Sequence, residues 1–229
     1  KGEAAVRVSA AHRLALWRAP AAAPALAERL SDKTREVRVA AAFALAACGT
    51  RESVPALLTA SDDPDPVLRQ AAAIALENLT GHAESGDWPA WFKAAGWARI
   101  EAALVSRLAA GDRDDVRRAA VALGHIGESE AARAALRETL KRLRDDKAYV
   151  EWRKSHQGDN AKFVAQDAVN PRTVQEVARA LGRLKDAASV PLLAETLKRH
   201  ADPDTGNLFL AEAAAEALGL IATPEAEAA

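Results

Sequence analysis

One short phrase returns along this chain at a fixed interval, and periodicity of that kind limits the possible folds more than any local motif does. It reads VRVSAAHRL from Val6, VRVAAAFAL from Val37 and LRQAAAIAL from Leu68, and the closing leucines Leu14, Leu45 and Leu76 are 31 residues apart. Looser copies follow as RRAAVALG around Leu123, QEVARALG around Leu181 and AEAAAEALG around Leu218, with wider gaps between them. Within a copy, small apolar residues precede the leucine at helical spacing, as in Ala41, Ala44, Leu45 and Ala72, Ala75, Leu76. That spacing predicts one buried face of an amphipathic helix.

A companion helix is predicted in each interval, ahead of the phrase helix that forms the second of each hairpin: SVPALLTA from Ser53, RIEAALVSRL from Arg99, EAARAALRETL from Glu130 and SVPLLAETLK from Ser189. Pro55 and Pro191 fall in first turns, where a missing N–H costs nothing. The aspartates and prolines of SDDPDP and HADPDTG supply caps and turns. A two-helix unit of this length cannot enclose a core by itself, so its neighbours must stack on it. Bulk is scarce, with aromatic residues at 4% and no methionine, and alanine makes up roughly a quarter of the chain. Alanine favours helix and lets helix axes approach closely, so thin layers of tightly stacked helices are expected and the fold class is all-α.

The D…VR…AA-x-AL(G) phrase followed by a SVPALL helix resembles the HEAT-like repeats of the type associated with bilin lyases. The likeness covers nearly the whole chain outside two insertions, near 79–97 and 145–172. It implies a right-handed α-solenoid, or superhelix, of HEAT-like helical hairpins, about five and a half repeats long, with the second helices on the concave side. It also implies one repeat domain over residues 1–229. The chain opens on a second helix and closes on IATPEAEAA, an unfinished first helix. A segment of a longer array in a bacterial HEAT-repeat protein is therefore expected. The match to the phrase is incomplete: Val116 falls where copy four would carry its arginine, and copies five and six lack the Val-Arg opening, with Gln175 and Ala211 in that region.

With 31 basic against 32 acidic residues and a pI near 6.6, no global field draws this chain to phosphate backbones or anionic lipid. Nucleic acid is not expected as a partner, and a helical-repeat DNA-binding or base-excision module would need a basic groove. No apolar run reaches the roughly 18 residues of a membrane span, so membrane insertion is not expected. A single cysteine, Cys48, excludes an internal disulfide framework and a multi-cysteine zinc site. It leaves the compartment open, cytoplasmic or periplasmic. In AACGT this cysteine follows an apolar helix face and reads as a small buried hydrophobe.

Three groups of residues are candidates for function. Arg7, Arg38 and Arg69 hold one position in successive second helices and should form a line along the stack. They are expected to pair with turn aspartates such as Asp32 or Asp63, or else to bind an anion. LTGHAESGDWPAWFKAAGW, residues 79–97, forms the first insertion, since Leu76 to Leu123 spans 47 residues. Gly81 should end one helix there and Asp87 should cap the next, with Pro89 in its first turn. Trp88, Trp91 and Phe92 then share a face, with Trp97 near the following junction. These indoles either fill the volume left between alanine-lined helices or form an interface hot spot, and at least one, Trp91 or Trp97, is expected to be buried. The second insertion holds Tyr149 and Trp152, and aromatic insertions on a smooth scaffold are where recognition is expected.

Catalytic constellations do not emerge. The five histidines are scattered and no pair has the spacing of a helical metal clamp. His82, Glu84 and Asp87 read as solvated loop residues and caps. No glycine-elbow serine, phosphate loop or regular carboxylate pair stands out. No metal and no cofactor are expected, and the chain reads as a non-catalytic scaffold that binds a protein partner. The alternative permitted by the resemblance is a lyase-type or cofactor-chaperoning subunit that binds a tetrapyrrole-like ligand together with a partner protein.

Overall fold

The computed structural model describes residues 3–83, 86–144, 170–201 and 208–222. Among them the secondary structure is helical throughout, with no strand. The chain divides into two compact units, residues 1–100 and 101–229. Most of the second insertion, including Tyr149 and Trp152, lies outside the described residues.

Unit 1 contains α1 (Ala4–Leu16), α2 (Ala23–Arg29), α3 (Arg35–Cys48), α4 (Val54–Ala60) and α5 (Pro66–Thr80). The three copies of the phrase form α1, α3 and α5, which pack side by side in one row. The short helices α2 and α4 lie between them in sequence and pack against α3 and α5. The buried residues of α3 are Val37, Ala40, Ala41, Ala42, Ala44, Leu45 and Cys48, and those of α5 include Leu68, Ala71, Ala72, Ala75, Leu76 and Leu79. The helical spacing read from the sequence is thus the buried face. Each fully buried leucine contributes about 2 kcal/mol, and the alanines contribute chiefly by letting the helices approach. α2 has no marked phrase in the sequence, because Leu26 is its only bulky buried residue, with the buried Leu30 at its C-cap.

Local punctuation follows the physical rules. Pro24, Pro55 and Pro66 sit in first turns, and Asp65 Oδ1 accepts the Val67 amide at 3.0 Å. Gly49 and Gly81 close α3 and α5. Cys48 is buried, its thiol donating to the Ala44 carbonyl at 3.1 Å, as expected for a packed small side chain.

The helical segment α6 (Trp88–Ala110) is broken at Gly96, where φ is 65° and ψ is 164°. Only glycine adopts that conformation without strain. The boundary between the units falls within this segment.

Unit 2 repeats the plan with α7 (Arg113–Ile126), α8 (Glu130–Arg144), α9 (Asn170–Arg183), α10 (Val190–His200) and α11 (Leu208–Ile221). α7, α9 and α11 form a row, with α8 against α9 and α10 against α11. α9 packs on α7 although the second insertion separates them in the chain. The row is close: a Cβ on Gly182 would lie 2.6 Å from Ala217 Cα, and one on Gly124 would lie 3.0 Å from Ala180 Cα. At the same register unit 1 has Ala15 and Ala46. Glu101, itself buried, accepts the Glu128 and Ser129 amides at 3.1 and 3.3 Å and so caps the start of α8.

Candidate interaction surfaces

The arginine positions are held by the turns between hairpins, in two different ways. Arg7 reaches forward to the next turn: its Nε and Nη2 donate to Asp32 Oδ2 and Oδ1 at 3.0 and 2.9 Å. This bidentate pair, with the Thr34 amide donating to Asp32 Oδ1 at 2.9 Å, holds the Asp32 carboxyl below its ordinary pKa. Arg38 and Arg69 reach back instead. Arg38 Nη1 donates to the Asp32 carbonyl at 3.1 Å, and Arg69 Nη1 to the Asp63 and Pro64 carbonyls at 2.6 and 3.0 Å. The Asp63 carboxylate accepts the Asp65 amide at 2.8 Å, a local turn bond.

The expected aspartates are therefore the right turns, with a carboxylate contact at Arg7 and carbonyl contacts at Arg38 and Arg69. Arg38 Nε is buried with no hydrogen-bond partner among the described residues. A parallel link uses Arg35, whose Nε and Nη2 donate to Asp65 at 2.6 and 3.1 Å and lower the Asp65 pKa. In copy four Val116 is buried, while the nearby Asp115 pairs with Arg107 at 2.9 Å.

The first insertion gathers its aromatic residues into one cluster. Asp87 caps the helix, its Oδ1 accepting the Ala90 amide at 2.9 Å. Trp88 is the buried indole, 3% exposed, whereas Trp91 and Trp97 are half-buried. The expectation that Trp91 or Trp97 would be the buried one is corrected: the first turn of α6 points Trp88 inward and leaves Trp91 at the rim. Trp88 and Trp91 meet edge to face at 5.5 Å, as do Phe92 and Trp97 at 4.9 Å. The break at Gly96 turns Trp97 back onto Phe92, which an uninterrupted helix would not do.

Two further members of the cluster were not legible in the sequence. His82 stacks on Trp91 with ring centroids 4.1 Å apart and planes 7° from parallel. The Arg51 guanidinium sits 4.5 Å above the Trp97 ring, an attraction of about 1 kcal/mol at a partly exposed site. His82 lies just beyond Gly81, so its proximity to the insertion offered a signal. Arg51 belongs to the turn before α4, and nothing local links it to Trp97.

Among the described residues no group of His, Cys, Asp and Glu side chains is placed to hold a metal ion. None of their helices is long and apolar enough to cross a membrane. A family model of HEAT repeats matches residues 1–77, and a model of the PBS lyase HEAT-like repeat matches residues 175–199. The matched segments, one in each unit, are HEAT-like repeats. The first match covers the three evenly spaced copies of unit 1, and the second covers α10 with most of α9 before it. Neither HEAT span includes the aromatic insertions. No curated relative matches the sequence.

Proposed function

We propose that this HEAT-like chain is a non-catalytic scaffold that binds a partner protein, with the aromatic cluster of the first insertion as a contact site. The observation that carries this reading is the state of Trp91 and Trp97: both are half-buried, and both are fixed by neighbours, Trp91 by His82 and Trp97 by Phe92 and Arg51. Rigid aromatic side chains that keep accessible area lose little entropy on binding and are the usual anchors of an interface. HEAT repeats commonly mediate protein interactions, and insertions project from one face of such a stack. Arg69 is exposed on the second-helix row of the same unit, and Tyr149 and Trp152 of the second insertion are proposed as further contacts. Arg7 and Arg38 contribute first by holding turns.

The test is affinity capture from a lysate of the source organism with the intact chain and with a Trp91→Ala/Trp97→Ala variant of matched helical content. The scaffold reading expects one protein retained by the native chain and lost by the variant. Equal capture by both baits would remove the aromatic cluster from the interface. A second reading draws on the PBS lyase HEAT-like match at residues 175–199. It is a lyase-type or cofactor-chaperoning subunit that cradles a tetrapyrrole-like ligand, and it expects visible absorption in the eluate.

A further inference from the structure

The outward stripe of each second helix is defined by four positions relative to the closing leucine: nine and six before it, two before it and two after it. These share one face at helical spacing. In unit 2 two contacts show that equivalent positions on adjacent helices are neighbours. Arg179 Nε donates to Glu216 Oε2 at 2.8 Å, both two before their leucines, and Arg183 Nη1 lies 2.9 Å from His125 Nε2, both two after. The unit 2 stripe is thus mostly charged, also carrying Asp114 paired with Arg117 at 2.6 Å, and Arg172 and Glu212, with Phe209 and Leu220 as its exposed apolar members at one end of the row.

The same register in unit 1 has a different chemistry. His12, Phe43 and Ile74 stand where unit 2 has Val121, Arg179 and Glu216. Val8, Val39 and Gln70 replace Arg117, Gln175 and Glu212, while Ala5, Glu36 and Val67 replace Asp114, Arg172 and Phe209. Leu16, Ala47 and Asn78 complete the face. Phe43 is 44% exposed, Val67 41% and Ile74 36%, and Glu36 is the one carboxylate or guanidinium among these positions. A nearly uncharged face that exposes Phe43, Val67 and Ile74, with His12, Gln70 and Asn78 as its neutral polar members, marks an interaction surface.

We propose that this face of unit 1, centred on Phe43, is where two copies of the chain meet. Its charge pattern argues for a second copy. When a two-fold axis runs in the plane of the face and across the helices, each stripe lies antiparallel on its own counterpart. Phe43 then faces Val39, Ile74 faces Gln70, Val67 faces Asn78, and Glu36 faces Ala47. No charge meets a like charge. The same operation on unit 2 would set Glu212 against Glu216 and Arg172 against Arg183, so that face opposes self-association.

The size fits as well. Three helices about 9 Å apart and a stripe about 20 Å long give roughly 500 Å² per copy. Both copies together bury roughly 1,000 Å², the lower limit of a specific interface. The contact is therefore a weak, reversible dimer. It is independent of the aromatic-cluster reading, because it uses neither Trp91 nor Trp97.

The experiment is sedimentation velocity of the intact chain over a wide concentration range, at low and high salt, beside Phe43→Glu and Arg117→Ala variants. The expected result is concentration-dependent dimerisation that persists in high salt and in Arg117→Ala, and that weakens by at least about tenfold in Phe43→Glu, the loss typical of a central anchor. Phe43 is exposed, so the substitution should leave the circular dichroism spectrum and thermal melting unchanged, and that check separates loss of contact from loss of fold. A native chain that stays monomeric throughout overturns the proposal. So does a dimer that survives Phe43→Glu or dissolves in salt.

Discussion

The two rows of second helices share one backbone register and one core recipe of alanine and leucine, yet they are finished differently. In unit 1 the residue after the closing leucine is Ala15 or Ala46, the outward face is apolar around Phe43 and Ile74, and the first insertion adds the buried Trp88. In unit 2 the same register holds Gly124 and Gly182, the helices approach within reach of each other's backbone, and the outward face carries ion pairs beside the exposed Phe209 and Leu220. The inward positions are constrained by packing, so they repeat. The outward positions are constrained only by what they meet, so they diverge, and the difference in charge between the two rows points to two surfaces with different uses.

The largest expected effect breaks the bulk on which unit 1 relies. Trp88→Ala removes a buried indole that packs edge to face on Trp91, and should cost about 3–5 kcal/mol in urea unfolding. A loss below about 1 kcal/mol would mean the insertion does not support the row. Next comes the glycine seam of unit 2. Gly182→Ala places a methyl group 2.6 Å from Ala217 Cα, which backbone cannot accommodate without moving, and should cost about 2 kcal/mol. The register-matched Ala46→Gly in unit 1 should cost only about 1 kcal/mol, through helix propensity. Equal losses at the two positions would erase the contrast in helix approach.

The smallest effect concerns pH. Asp32 in unit 1 is held below the usual carboxylate range by the Arg7 hydrogen bonds, and Asp115 in unit 2 by those from Arg118 and Arg107. A depressed folded-state pKa stabilises at pH above the ordinary value near 4, and that stability is lost as pH falls through the lowered value. Asp32→Asn and Asp115→Asn should each flatten the acid limb of the stability profile while leaving its slope near neutrality unchanged. A profile identical to that of the native chain would show that the turn carboxylate is not linked to folding.

Much of this was legible in the sequence. The phrase around Leu45 and Leu76 gave the helices, their buried faces and the hairpin plan, because a 31-residue repeat of small apolar residues has few ways to hide its stripe. Proline in first turns and the caps at Asp65 and Asp87 were readable from local chemistry. The site was read less completely. The turns holding the arginines were anticipated, but whether a guanidinium would reach a carboxylate or a carbonyl was not, since both lie within one side chain's length. Trp88 was not singled out as the buried indole, because burial depends on how α6 enters, and the pairing of Arg51 with Trp97 joins segments distant in the chain.

The sequence by itself therefore determined the helical repeat, its core residues and the absence of a strong global charge, all of which follow from periodicity and composition. Only the tertiary structure decided which side chains share a surface. Phe43 and Ile74, or Arg179 and Glu216, are single residues on separate helices until packing lays those helices side by side. Gly96 is one more glycine until its backbone turns Trp97 onto Phe92. Packing sets these neighbours because it fixes helix rotation and spacing, two quantities that a linear pattern constrains only on the buried side.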